Sequence, residues 1–107
     1  MVFLETSFFT RRIVGLMSDE QYRALQAALV LRPDLGPVIP GSGGLRKARW
    51  NLPGRGKRGG ARVIDYWITS EDRIFMLMIY DKTEQDDLTK DQLKTLRRVV
   101  EAEFRNG

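Results

Sequence analysis

Apolar and polar positions change their spacing several times along the chain, and each change marks an element. Val2 to Glu5 reads as a short edge strand, after which Thr6 or Ser7 is placed to cap a helix whose apolar members include Phe8, Phe9, Ile13 and Val14. Ser18-Asp19-Glu20-Gln21 has the form of a capping box, in which the Ser oxygen and the Gln side chain satisfy each other's backbone N–H groups. A second helix starts there, with Tyr22, Leu25 and Leu29 on one stripe at i, i+3 and i+7. Pro33, Gly36 and Pro37 require it to stop.

From Leu45 the period shortens to that of a strand. Leu45 to Trp50 and Ala61 to Thr69 are read as strands on either side of a glycine-rich loop, Asn51 to Gly60. After the polar turn Ser70 to Arg73, Ile74 to Asp81 (IFMLMIYD) is so continuously apolar that it predicts a central strand covered on both faces. Short connections make these three strands an antiparallel meander. Thr89-Lys90-Asp91-Gln92 repeats the capping-box form, and Leu93, Leu96, Val100 and Phe104 then lie on one amphipathic stripe. The expected order is β-α-α-β-β-β-α, an α+β domain spanning residues 1–107 with its helices packed on an antiparallel sheet.

Composition narrows the chemistry. The 107 residues, 42% of them apolar, suffice for one core. No apolar run is long enough to cross a bilayer, and Met1 to Leu4 is interrupted by Glu5, Arg11 and Arg12, which is wrong for a signal peptide, so a cytoplasmic protein with no membrane partner is expected. With neither cysteine nor histidine there is no thiolate nucleophile, no disulfide, no imidazole base and no usual zinc ligand; no metal and no cofactor are expected.

The net charge of +4 is unevenly distributed. Gly41 to Val63 holds Arg46, Lys47, Arg49, Arg55, Lys57, Arg58 and Arg62, seven of the 18 basic residues, and none of the 14 acidic ones. The remainder, with 11 basic against 14 acidic groups, is a mildly acidic body. Strand alternation sends Lys47 and Arg49 to one face and Ala48 and Trp50 to the other. Two adjacent cations on one face suit an anion, and neighbouring strands can add Arg62 and Lys82 to make a phosphate seat. The loop residues Arg55, Lys57 and Arg58 form a basic flap suited to a nucleic-acid backbone, Arg46 is a further candidate for RNA contact, and Tyr80 is read either as an RNA contact or as a core residue. The ordinary use of basic strand residues is to stay solvated and discourage edge-to-edge pairing. Trp50, Tyr66 and Trp67 are read as core or sheet-face residues. The string GRGKRGG lacks the P-loop spacing and its strand-to-helix context, so nucleotide hydrolysis has no support.

The stretch from Leu29 to Asp87 resembles the HigB-type branch of the RelE toxin superfamily. The likeness is carried by Leu31-Arg32-Pro33-Asp34-Leu35-Gly36, by Gly41-Ser42-Gly43-Gly44-Leu45-Arg46-Lys47 with Arg49, by Gly56-Lys57-Arg58-Gly59-Gly60-Ala61-Arg62-Val63-Ile64-Asp65-Tyr66, and by Ile79-Tyr80-Asp81-Lys82, in that order and spacing. The resemblance implies a RelE-like fold and a ribosome-dependent endoribonuclease that cleaves messenger RNA in the decoding site. It also implies a helix-turn-helix antitoxin that neutralises the toxin and through which alone the pair meets operator DNA. The catalytic positions it implies are Lys47, Arg49, Arg62 and Lys82. Relatives use a C-terminal tyrosine or histidine as well; here Leu88 stands at that place and histidine is absent, so the resemblance does not supply the general acid and base.

Such a set of residues suits metal-independent attack of a 2′-hydroxyl on its own phosphodiester, which needs geometry and positive charge. In that scheme Arg49 and Arg62 stabilise the phosphoryl oxygens, Lys47 accepts the 2′-hydroxyl proton, and Lys82 protonates or screens the leaving oxygen. Two readings compete with it. One is a non-catalytic RNA-binding domain, since a helix, three antiparallel strands and a helix also outline double-stranded-RNA-binding folds. The other is a DNA-binding or interaction protein, weakened by the lack of a basic recognition helix.

Overall fold

The local signals act where they stand in the chain. In the computed structural model, which describes residues 1–52 and 60–105, β1 (Val2–Glu5) passes into α1 (Ser7–Leu16) through Thr6. The Thr6 hydroxyl accepts from the Phe9 N–H at 3.0 Å and donates to the Leu77 carbonyl at 2.8 Å, tying the helix start to the sheet. The Ser18 capping box is complete, and α2 (Asp19–Leu31) ends at Arg32, directly before Pro33. Then come β2 (Arg46–Trp50), β3 (Ala61–Ile68), a 3-10 turn over Thr69–Glu71, β4 (Arg73–Asp81) and α3 (Lys90–Arg105). The second box also closes: Thr89 Oγ1 accepts from the Gln92 N–H and Gln92 Oε1 from the Thr89 N–H, both at 3.0 Å.

The sheet runs in the order β1-β4-β3-β2. Strands β2, β3 and β4 form the expected antiparallel meander, but β1 pairs with β4 in parallel, so the sheet is mixed rather than wholly antiparallel. A hairpin dictates antiparallel pairing between sequence neighbours, whereas β1 reaches β4 from far along the chain and its direction depends on how α1 and α2 pack.

Helices cover both faces. On one, Phe9 and Ile13 of α1 and Leu25 and Leu29 of α2 pack against Ala48, Ala61, Val63, Ile74, Met76 and Ile79. On the other, Leu96 and Val100 of α3 pack against Leu45, Ile64, Phe75, Leu77, Met78 and Tyr80. β4 is buried from Ile74 to Asp81, as its unbroken apolar run requires. Of the apolar residues assigned to α1, only Phe9 and Ile13 are buried; Phe8 and Val14 face outward, 43% and 78% exposed. Phe104, expected on the α3 stripe, lies outside the residues whose side chains are described.

The glycine-rich string before β2 builds a turn along its outer edge. Gly36 comes so close to β2 that a Cβ there would lie 2.6 Å from the Ala48 nitrogen. The Lys47 N–H donates to the Pro37 carbonyl at 3.1 Å and the Ile39 N–H to that of Leu45 at 2.7 Å. Buried Ser42 accepts from the Leu45 N–H and donates to the Ile39 carbonyl. The outer edge of β2 is thereby partly paired within the chain, which protects it from edge-to-edge association.

Candidate active site

Register places the predicted cations. Arg49 is directly opposite Arg62, and Arg62 directly opposite Tyr80, so three strands contribute one side chain each to a single row across the sheet. Directly opposed strand residues have Cβ atoms about 5 Å apart. The next row begins with Lys47, opposite Ile64. Beyond the end of β4 the Lys82 N–H donates to the Gly60 carbonyl at 3.0 Å, which extends the pairing and puts Lys82 on the same face as Tyr80 two residues earlier. All four candidate catalytic residues, Lys47, Arg49, Arg62 and Lys82, therefore share the α3 face at one end of the sheet.

Arg46 does not join them. Alternation turns it to the face of Ala48 and Trp50, where its guanidinium donates to the Gly36 carbonyl at 2.9 Å. Its cross-strand partner there is Asp65, a fully buried carboxyl with no hydrogen bond to any described residue. Burial pushes Asp65 up to about 7, and only the charge of Arg46 works against that shift. Arg46 thus serves the interior rather than the basic face. Arg55, Lys57 and Arg58 lie outside the described residues. Trp50 and Trp67 pack against the α1/α2 core and Tyr66 against the α3 core, as read from the sequence.

The acidic groups at the site were not legible as partners. Asp81, 1% exposed, accepts from the Thr83 N–H at 2.9 Å and the Thr83 hydroxyl at 2.8 Å, and this turn sends the chain back across the end of the sheet. Asp87 then meets Lys47 at 3.0 Å, while Lys82 donates to the Asp86 carbonyl at 2.9 Å and lies 3.7 Å from its carboxylate. Glu84 is paired with Arg12 of α1 at 3.3 Å. The hydrogen bond from Lys47, followed by that from the Leu88 N–H, holds the Asp87 carboxyl below its ordinary range. The only signal for these contacts is the acid-rich string Glu84, Asp86, Asp87 just after Lys82, which lies outside the acid-free basic segment of residues 41–63.

Tyr80 is 1% exposed, and its hydroxyl donates to no described residue. Burial, then the charge of Asp87, raises the phenol above its usual value; Arg62 and the nearby Leu88 N–H pull the other way. The site therefore combines a row of cations, a covering acidic turn and a protonated phenol beneath it.

A family model for the RelE toxin of the RelE/RelB toxin–antitoxin system matches residues 34–105, from the turn after α2 through α3. The chain belongs to the RelE toxin family. The matched region contains every strand of the basic face and the acidic turn, and the α+β architecture agrees with a RelE-like fold. As a RelE toxin the chain is one half of a toxin–antitoxin pair. Among the described residues no helix is long and apolar enough to cross a membrane, and no group of His, Cys, Asp and Glu is placed to hold a metal ion.

Proposed function

We propose that this RelE toxin is a cytoplasmic, ribosome-dependent endoribonuclease that cleaves messenger RNA in the decoding site without a metal ion. The observation that carries this reading is the row Arg49–Arg62–Tyr80 with Lys47 in the next row and Lys82 just beyond β4, a group of cations at one end of the sheet. Arg49 and Arg62 stabilise charge on the phosphoryl oxygens. Lys47 meets the 2′-hydroxyl, whose proton passes to the Lys47–Asp87 pair as the oxygen attacks phosphorus; the ionised carboxylate is available to receive it and the ammonium steadies the developing alkoxide. Lys82 screens charge at the leaving oxygen. Cofactors have no part in this scheme.

The partners that follow are the ribosome with its message and a helix-turn-helix antitoxin, through which alone the toxin meets operator DNA. Cleavage of a defined message by the purified protein, with and without translating ribosomes, tests the proposal. Cuts in codon register that need ribosomes and vanish in Arg62→Ala are the expected result. Binding without cutting under either condition would instead favour a non-catalytic RNA-binding domain.

A further inference from the structure

Tyr80 carries an unexplained hydroxyl. A buried hydroxyl whose proton finds no acceptor costs on the order of 1–3 kcal/mol, and phenylalanine would fill the same slot in the α3 core without that cost. The aromatic ring belongs to the core cluster that includes Ile64, Leu77 and Leu96, but its hydroxyl feels the charges of Asp87 and Arg62. Nothing in the packing of the fold requires that oxygen.

Resting on the ribonuclease reading above, we propose that Tyr80 is a catalytic residue whose phenol delivers the proton to the departing 5′-oxygen. Its neighbours suit that role. Arg62, directly opposite on β3, stabilises the phenolate left after transfer. Asp87 and Leu88 cover the hydroxyl in the free protein, and Asp87 is held there chiefly by Lys47. A phosphodiester arriving at Lys47 competes for the same ammonium, shifts the carboxylate off the phenol without parting it from Lys47, and brings the phenol against the scissile phosphate. Burial keeps the phenol protonated through the neutral range, the state a general acid needs. Lys82 is less suited to donate, because its ammonium is engaged by the carbonyl and carboxylate of Asp86.

The step balances. The 2′-oxygen forms a bond to phosphorus and its proton goes to the Lys47–Asp87 pair; the bond from phosphorus to the 5′-oxygen breaks and that oxygen takes the phenol proton. The products are a 2′,3′-cyclic phosphate and a 5′-hydroxyl, and solvent returns the enzyme to its starting protonation.

The test compares wild type, Tyr80→Phe and Arg62→Ala in single-turnover cleavage on programmed ribosomes. Two messages are used, one ordinary and one with sulfur replacing the bridging 5′-oxygen at the cut, since a thiolate leaves without a proton. Tyr80→Phe should slow cleavage of the ordinary message about 100-fold or more, cut the sulfur-linked message at the wild-type rate, and keep an unchanged or higher Tm. Arg62→Ala should be slow on both. Equal slowing of Tyr80→Phe on the two messages, or no slowing on either, would overturn the role of Tyr80 while leaving the ribonuclease reading intact; failure of wild type to cut either message would overturn both. A fluorinated tyrosine at position 80, which preserves shape and acidifies the phenol, should move the alkaline limb of the pH–rate profile to lower pH, and an unmoved limb counts against the proposal.

Discussion

Asp65 is the residue whose environment is most at odds with its chemistry. It sits on a strand between two others, fully buried, faced by the guanidinium of Arg46 but hydrogen-bonded to no described group. Its folded-state value of about 7 lies above the ordinary 3.8. A raised carboxyl keeps its proton in the native state while the unfolded chain has already released it. Stability therefore falls as pH rises from about 4 to about 7 and is level above that. The loss integrates to a few kcal/mol at most. Asp65→Asn should flatten this decline, so that its urea midpoint, below or near that of wild type at pH 4, exceeds it at pH 8; parallel pH profiles for the two proteins would show that Asp65 does not titrate in this way.

At the scale of elements, two connections hold the site in place. The turn before β2 depends on Gly36, because any Cβ there meets the backbone of Lys47 and Ala48. Gly36→Ala should cost about 1–3 kcal/mol, read as a lowered denaturant midpoint, with a loss of cleavage beyond the loss of folded protein, since the strand that must shift carries Lys47 and Arg49. The acidic turn after β4 works in the opposite direction. Its ion pairs are largely exposed and contribute little to stability, yet they occupy the lysines that RNA needs. Asp87→Asn should leave Tm nearly unchanged and bind a short single-stranded RNA more tightly, by roughly three- to tenfold at low salt. The same variant should cut more slowly, having lost the carboxylate of the proton-accepting pair. Unaltered affinity in an anisotropy titration would show that Asp87 does not compete with phosphate.

Over the whole molecule the sheet divides two kinds of arginine. Arg49 and Arg62 stand on the α3 face, whereas Arg46, their close neighbour in sequence and charge, stands on the α1/α2 face beside Asp65. The salt dependence of RNA binding separates them. Arg49→Gln should reduce the slope of log K against log salt by about 0.7, the value for one phosphate contact on a single strand. Arg46→Gln should leave the slope unchanged and lower stability by about 1–3 kcal/mol, as a buried carboxyl loses its counter-charge. A reduced slope for Arg46→Gln would place that residue on the RNA path after all.

Much of this was written in the chain. Both capping boxes, the stop at Pro33, the buried run of β4 and the split of Lys47 and Arg49 from Ala48 and Trp50 follow from local sterics and from periods of 3.6 and 2, which need only neighbouring residues to be read. The likeness in the GSGGLRK and IYDK strings pointed to the family for the same reason, since those strings build local turns and strand ends. Other features depended on residues distant in sequence. The parallel direction of β1, the burial of Asp65 opposite Arg46 and the seating of Asp87 on Lys47 join segments far apart in sequence, and the outward turn of Phe8 and Val14 depends on which side of α1 meets the sheet. Charge and hydropathy patterns record what a residue is, while burial and partnership depend on what packing brings to it, and that was decided only when the sheet and its two layers of helices came together.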